Sequence, residues 1–177
     1  MASIDREYLL ELEDIVFVRR QATIENVAAQ YSRSELVETI HEARQEVREI
    51  VAMLPAAAFQ PQPPDSDGDD VWSAGEIASH LLEMMYWLQL ALLQLAGDDP
   101  GWAPDERVDV RVMDRGETLA TLDQCDRELE RALEMAEQVP AGTRIKIDGL
   151  GEPGVPGLLL LHAMHEWEHV DQFAALT

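Results

Sequence analysis

Apolar residues recur every three or four positions at Leu36, Ile40, Ala43, Val47, Ile50 and Leu54. A 3.6-residue turn brings such positions onto one face, so the pattern predicts an amphipathic helix. Ser32 and Glu35 precede it at the spacing of a capping box, in which the hydroxyl accepts from the Glu35 amide and the carboxylate reaches back. A second helix is predicted from Ser73, Ala74, Gly75 and Glu76, again a capping box, with Trp72 and Ile77 at the positions of a hydrophobic staple. It runs to about Ala96, where Gly97, Asp98, Asp99, Pro100 and Gly101 stop it. A third begins near Asp114 and Glu117, turns Leu119, Leu122, Cys125, Leu129, Ala132 and Ala136 inward, and ends before Pro140. A fourth follows Pro156, a favourable first-turn residue, and runs nearly to Thr177. Stretch 61–70, rich in proline and aspartate, reads as a solvated loop. Stretch 143–148 alternates like a strand but is too short to build a sheet alone, so it too is read as loop.

Four helices of about 20 residues with long connections describe an all-α four-helix bundle. Residues 1–32 contain no proline or glycine and predict an additional N-terminal helix, with Ile4, Leu12, Val16, Ile24 and Val27 as its apolar side. It is read as a strut on the bundle or as a dimer arm. The organisation expected is therefore an N-terminal extension over 1–32 and one bundle over 33–177, with no internal repeat.

Composition narrows the partners. The 177 residues are 46% apolar, enough for one domain with a true core. They carry 35 acidic against 13 basic side chains, a net charge of −22. Nucleic-acid binding needs clustered lysine and arginine and is excluded; Lys146 is the sole lysine, so no polybasic patch faces anionic lipid either. The most apolar stretch, 81–96, is broken by Glu83, Gln89 and Gln94 and falls short of the roughly 20 apolar residues of a membrane span. A lone cysteine, Cys125, and an N-terminus without signal-peptide features lead us to expect a cytoplasmic protein.

The chemistry lies in the histidines, at 41, 80, 162, 165 and 169. On a helix His165 and His169 are one turn apart on one face, where two imidazoles can reach one cation at about 2.1 Å. His162 shares that face but lies about 10 Å from His169 along the axis, so it competes for His165 rather than joining both. The string His165-Glu166-x-x-His169 also has zinc-protease form, with Glu166 as base. None of residues 170–177 supplies the separated third ligand such enzymes need, and Asp171 points away from the histidine face. The third ligand is sought upstream, where His80 sits two turns into the strongly capped helix beside Ile77, Leu81 and Leu82. Glu76 and Glu83 share its face; Glu76 is read first as a cap, either can accept from an imidazole N–H, serve as a ligand or handle protons, with a solvated Glu83 as the alternative, and Glu166 is a further candidate proton handler. His41, among charged residues, is read as surface. Trp72, Tyr86, Trp87 and Trp167 are read as core, with a pocket lining as the alternative.

The string Val71-Trp72-Ser73-Ala74-Gly75-Glu76-Ile77-Ala78-Ser79-His80-Leu81, with a last helix bearing His165-Glu166-x-x-His169-x-x-Gln172, resembles the DinB-like superfamily over residues 33–174. That superfamily includes relatives of the mycothiol- and bacillithiol-dependent S-transferases. The resemblance implies an up-down-down-up bundle with one divalent metal, zinc or nickel, held by His80, His165 and His169 with an open position. It also implies a homodimer and a small-molecule substrate, with a low-molecular-weight thiol as possible partner. The function expected is a metal-dependent transferase or hydrolase that activates a thiol or water against a small electrophile. The alternative is a non-catalytic metal- or partner-binding protein of a stress or detoxification response. The surface acidity disfavours thiols that carry carboxylates, which makes hydrolysis of a neutral or cationic substrate a variant of the first reading.

Overall fold

In a computed structural model of the chain, residues 3–61, 72–103, 113–147 and 150–177 are described. Every long helix foreseen from the periodicity is present. The first two helices are short: α1 covers Arg6–Glu13 and α2 covers Ile24–Ala28. The bundle is α3 (Arg33–Met53), α4 (Ala74–Leu95), α5 (Arg115–Ala136) and α6 (Val155–Ala174). Three of these four starts are complete capping boxes, Ser32 with Glu35, Ser73 with Glu76 and Asp114 with Glu117, which satisfy amides that would otherwise lack partners. The loop expected over 61–70 lies, after Pro61, outside the described residues. Stretch 143–147 is loop carrying a single bridge, Ile147 to Gly151.

Helix directions follow from who meets whom. Between α3 and α5 the polar contacts pair Arg33 with Leu133, His41 with Glu130, Arg44 with Asp126 and Arg48 with Asp123, so the two run antiparallel. One end of the core gathers Val47 and Val51 of α3, Ile77 to Met85 of α4, Leu122 of α5 and Val170 and Phe173 of α6. The other gathers Leu36 and Ile40, Leu92 and Leu95, Leu129 and Leu133, and Leu158 to Leu161. Hence α3 and α6 are parallel, α4 and α5 run the opposite way, and the order is up-down-down-up. Helices α3 and α4 each pack on α5 and α6 and lie diagonally opposed.

The N-terminal helix is shorter than the uninterrupted stretch allows. After Glu13 the turn widens into a π-helical segment, Asp14–Val18, and Arg20 takes a left-handed conformation at φ 53°. The chain then restarts at Thr23, whose hydroxyl accepts from the Asn26 amide, to form α2. Both short helices pack on α6. Arg6 pairs with Asp171 and lies 5.2 Å from the centre of the Trp167 ring, a cation–π contact. The start of α6 has no cap of its own, and Glu25 of α2 supplies one: its Oε2 accepts from the Gly154 amide at 2.9 Å, while Arg144 pairs with its other oxygen at 3.0 Å. Gly157 makes room, since a Cβ there would stand 2.7 Å from that carboxylate.

The end of α4 is a Schellman motif: the Asp98 amide donates to the Leu93 carbonyl, the Gly97 amide to that of Gln94, and Gly97 sits at φ 79°. A side chain in that conformation costs about 1 kcal/mol, so Gly97→Ala should lower the thermal midpoint by about 2–4 °C in calorimetry. An unchanged midpoint would show that the turn relaxes. Among the described residues no helix is long and apolar enough to cross a membrane.

Candidate metal centre

Helices α4 and α6 are antiparallel neighbours, and their facing turns bring three histidines together. His80 stands in the second turn of α4; His165 and His169 are successive turns of α6. Their ligand atoms all lie within 4.8 Å of one another, and among the described residues this is the one such group of three. Ring centres are 5.4 Å apart for His80 and His165, 5.2 Å for His80 and His169, and 4.4 Å for His165 and His169. The Nε2 atoms of His165 and His169 stand 3.0 Å apart.

The surroundings suit ligands rather than cations. Burial, then the neighbouring His169, His80 and His162, push His165 down to about 2. Burial pushes His169 down to about 4, against a hydrogen bond from its Nδ1 to Gln172 at 2.7 Å that would raise it. The lone pairs of His165 and His169 are therefore available near neutral pH, as metal binding requires. When Gln172 Oε1 accepts from Nδ1–H, the lone pair of His169 is fixed on Nε2, the atom that faces His165. His165 Nδ1 is buried with no hydrogen-bond partner among the described residues. Unprotonated imidazoles turned toward one another gain little from each other, whereas a shared cation satisfies them together. The donor set fits a divalent transition metal, and three protein ligands leave coordination positions open.

Trp72, expected to staple the helix start, is 42% exposed and lies edge-on to His80 with ring centres 5.2 Å apart. It forms one side of the site. Glu76 is committed to the cap, its Oε2 accepting from the Ser73 amide and hydroxyl, both at 2.7 Å. Glu83 is half-buried one turn further along α4. His41 is on the surface, 3.3 Å from Glu130.

His162 does not compete for the site. It is fully buried, and its Nδ1 lies 3.2 Å from Glu166 Oε1. Glu166 is in turn gripped by Arg44: Nε at 3.0 and 2.9 Å from its two oxygens, Nη2 at 2.8 Å. Burial alone would raise the Glu166 carboxyl, but Arg44 and the His162 hydrogen bond hold it below the usual carboxylate range. Arg44 also donates to Asp126 at 2.8 Å, and Asp126 pairs with Arg48. The acid of the His-Glu-x-x-His string thus faces α3 as part of a buried ionic network. Cys125 is no nucleophile either: burial pushes its thiol up to about 12, and Gln89 donates to its sulfur at 3.0 Å.

Arg44 was not foreseen as a site residue, although one signal pointed to it. It falls four residues after Ile40 and three before Val47, on the stripe that meets the core, where an unpaired charge is not tolerated. A model of the DinB superfamily matches residues 22–173. No curated protein and no solved structure matches the chain. With the bundle order, the capped His80 helix and the paired histidines of α6 in place over that same span, the chain belongs to the DinB superfamily.

Proposed function

We propose that His80, His165 and His169 hold one divalent cation, zinc or nickel, and that the protein is a metal-dependent enzyme acting on a small electrophilic molecule with a thiol or water as nucleophile. The observation that carries this is the convergence of three imidazoles from two helices, with their ligand atoms within 4.8 Å of one another. A cation bound there lowers the pKa of a thiol or water bound beside it. The chain does the rest. Gln172 fixes the His169 tautomer, Trp72 walls one side, and Arg44 holds the α6 turn that carries His165 by clamping the adjacent Glu166. With Glu76 and Glu166 engaged elsewhere, Glu83 is the one of the three candidate proton handlers left without another role.

Metal analysis of protein made without a histidine tag tests the site. About one equivalent of zinc or nickel per chain is expected. His169→Ala should abolish it, His41→Ala should leave it intact, and Gln172→Ala should weaken affinity about 10–100-fold. Equal effects of His169→Ala and His41→Ala would refute the assignment. Conjugation and hydrolysis assays on the metal-loaded protein then test the activity. No metal-dependent turnover with a panel of electrophiles, cellular thiols and water would make it a metal-binding module instead.

A further inference from the structure

Beside the histidines lies a cavity of about 220 Å³ whose wall the N-terminal segment completes. Leu9 and Leu10 of α1 and Phe17 of the π-helical segment form one side, and Met84 of α4 and Met164 of α6 the other. His165 is part of its lining, so whatever fills the cavity touches a residue of the three-histidine group. Glu13 and Glu168 are its charged lining residues, and no lysine or arginine lines it. The space is not a gap left by poor packing around α1, because Leu9 and Leu12 on the same helix are fully buried.

We propose that this cavity takes the apolar part of a small substrate whose positively charged, amine-type end lies between Glu13 and Glu168. The proposal rests on the metal-centre reading for its chemistry, and on the cavity alone for its binding. Size sets the apolar part: an apolar cavity of about 150 Å³ accommodates benzene, so a single ring or a short branched chain fits here. Charge sets the rest. Two carboxylates at the rim of an apolar space favour a cation, and they repel a carboxylate most where water is displaced. A carboxylate-bearing thiol is thereby turned away from this cavity, and the molecule that occupies it is the electrophile or the compound to be hydrolysed. The π-helical segment gains a purpose as well. It rotates Phe17 relative to a regular helix, in the way such segments place side chains at functional sites.

Benzylamine, benzyl alcohol and benzoate share one ring and differ in charge, which makes them suitable probes. Calorimetry on the full chain, metal-free and zinc-loaded, should rank benzylamine above benzyl alcohol by about tenfold, with benzoate weaker still. Glu13→Gln, on an exposed position of α1 outside the three-histidine group, should weaken benzylamine about fivefold and leave benzyl alcohol unchanged. Leu10→Trp, which fills the space from α1, should abolish binding of all three, with zinc content retained. Benzoate or benzyl alcohol binding as tightly as benzylamine would overturn the proposal, and so would Leu10→Trp with unaltered affinities. Absence of benzylamine binding to the unsubstituted protein while it holds zinc sinks the cavity assignment alone. Benzylamine binding without any zinc uptake sinks the metal centre alone.

Discussion

Arg44→Met is expected to destabilise the protein by about 3–5 kcal/mol, more than the removal of any histidine of the candidate site. The guanidinium is fully buried, bonded to both oxygens of Glu166, and bridges to Asp126. Without it, Glu166 is left as a charge at the centre of the bundle with His162 as its remaining hydrogen-bond partner. The carboxyl must then either stay ionised at high cost or take up a proton, and both routes weaken the fold. The double variant Arg44→Met, Glu166→Leu should recover most of the loss, since an apolar pair of similar volume replaces an ion pair whose desolvation was itself costly. Asp126 is not orphaned in either variant because Arg48 pairs with it. Urea unfolding of the unsubstituted protein, Arg44→Met, Glu166→Leu and the double variant measures the coupling. A single-variant cost below about 1 kcal/mol would show that the network does not hold the fold.

Acid is the second large lever. His165, at about 2, and His169, at about 4, remain neutral in the metal-free fold well below the value near 6.5 that an unfolded chain shows. Above pH 6.5 both states are neutral and the histidines have no effect on stability. Below it the unfolded chain binds protons that the folded chain refuses, so stability falls as pH falls. At pH 5.5 each contributes about 1.4 kcal/mol, hence about 3 kcal/mol for the two. His162, lowered by burial despite the hydrogen bond to Glu166, adds to the loss with the same sign. Denaturant unfolding of metal-free protein at pH 7.5 and 5.5 should show this difference, and His41→Ala should reproduce it. Equal stability at the two pH values would mean that the imidazoles are charged or solvated in the fold.

What the sequence disclosed depended on whether the determinant was local. Capping boxes at Ser32, Ser73 and Asp114 involve residues three apart, and the stripes from Leu36 to Leu54 and Leu119 to Ala136 repeat within single helices. These placed the four bundle helices and, through helix spacing, paired His165 with His169. His80 was reached less directly, as the upstream candidate left once residues 170–177 offered no ligand and then through the family resemblance, because nothing local relates α4 to α6. The N-terminal break was illegible for another reason: residues 13–23 contain neither proline nor glycine, and Arg20 adopts its left-handed backbone without being glycine or asparagine. Glu166 was misleading in isolation. Its protease-like position suggests a base, yet a partner on α3 that is distant in sequence turns it to a structural purpose.

The same long-range arrangement governs how the chain comes together as it is made. Helix α6 packs on α1, α2, α3 and α4, and Arg44 meets Glu166 across 122 positions. Segments α1 to α5 emerge from the ribosome first, with Arg44 lacking Glu166 and His80 lacking both of its companions. Closure over such separations is slow, and the partners' apolar faces remain open in the interval. The candidate site and the buried ionic network are therefore completed in one late docking event, when residues 155–174 arrive, and a nascent chain stalled before them would hold neither.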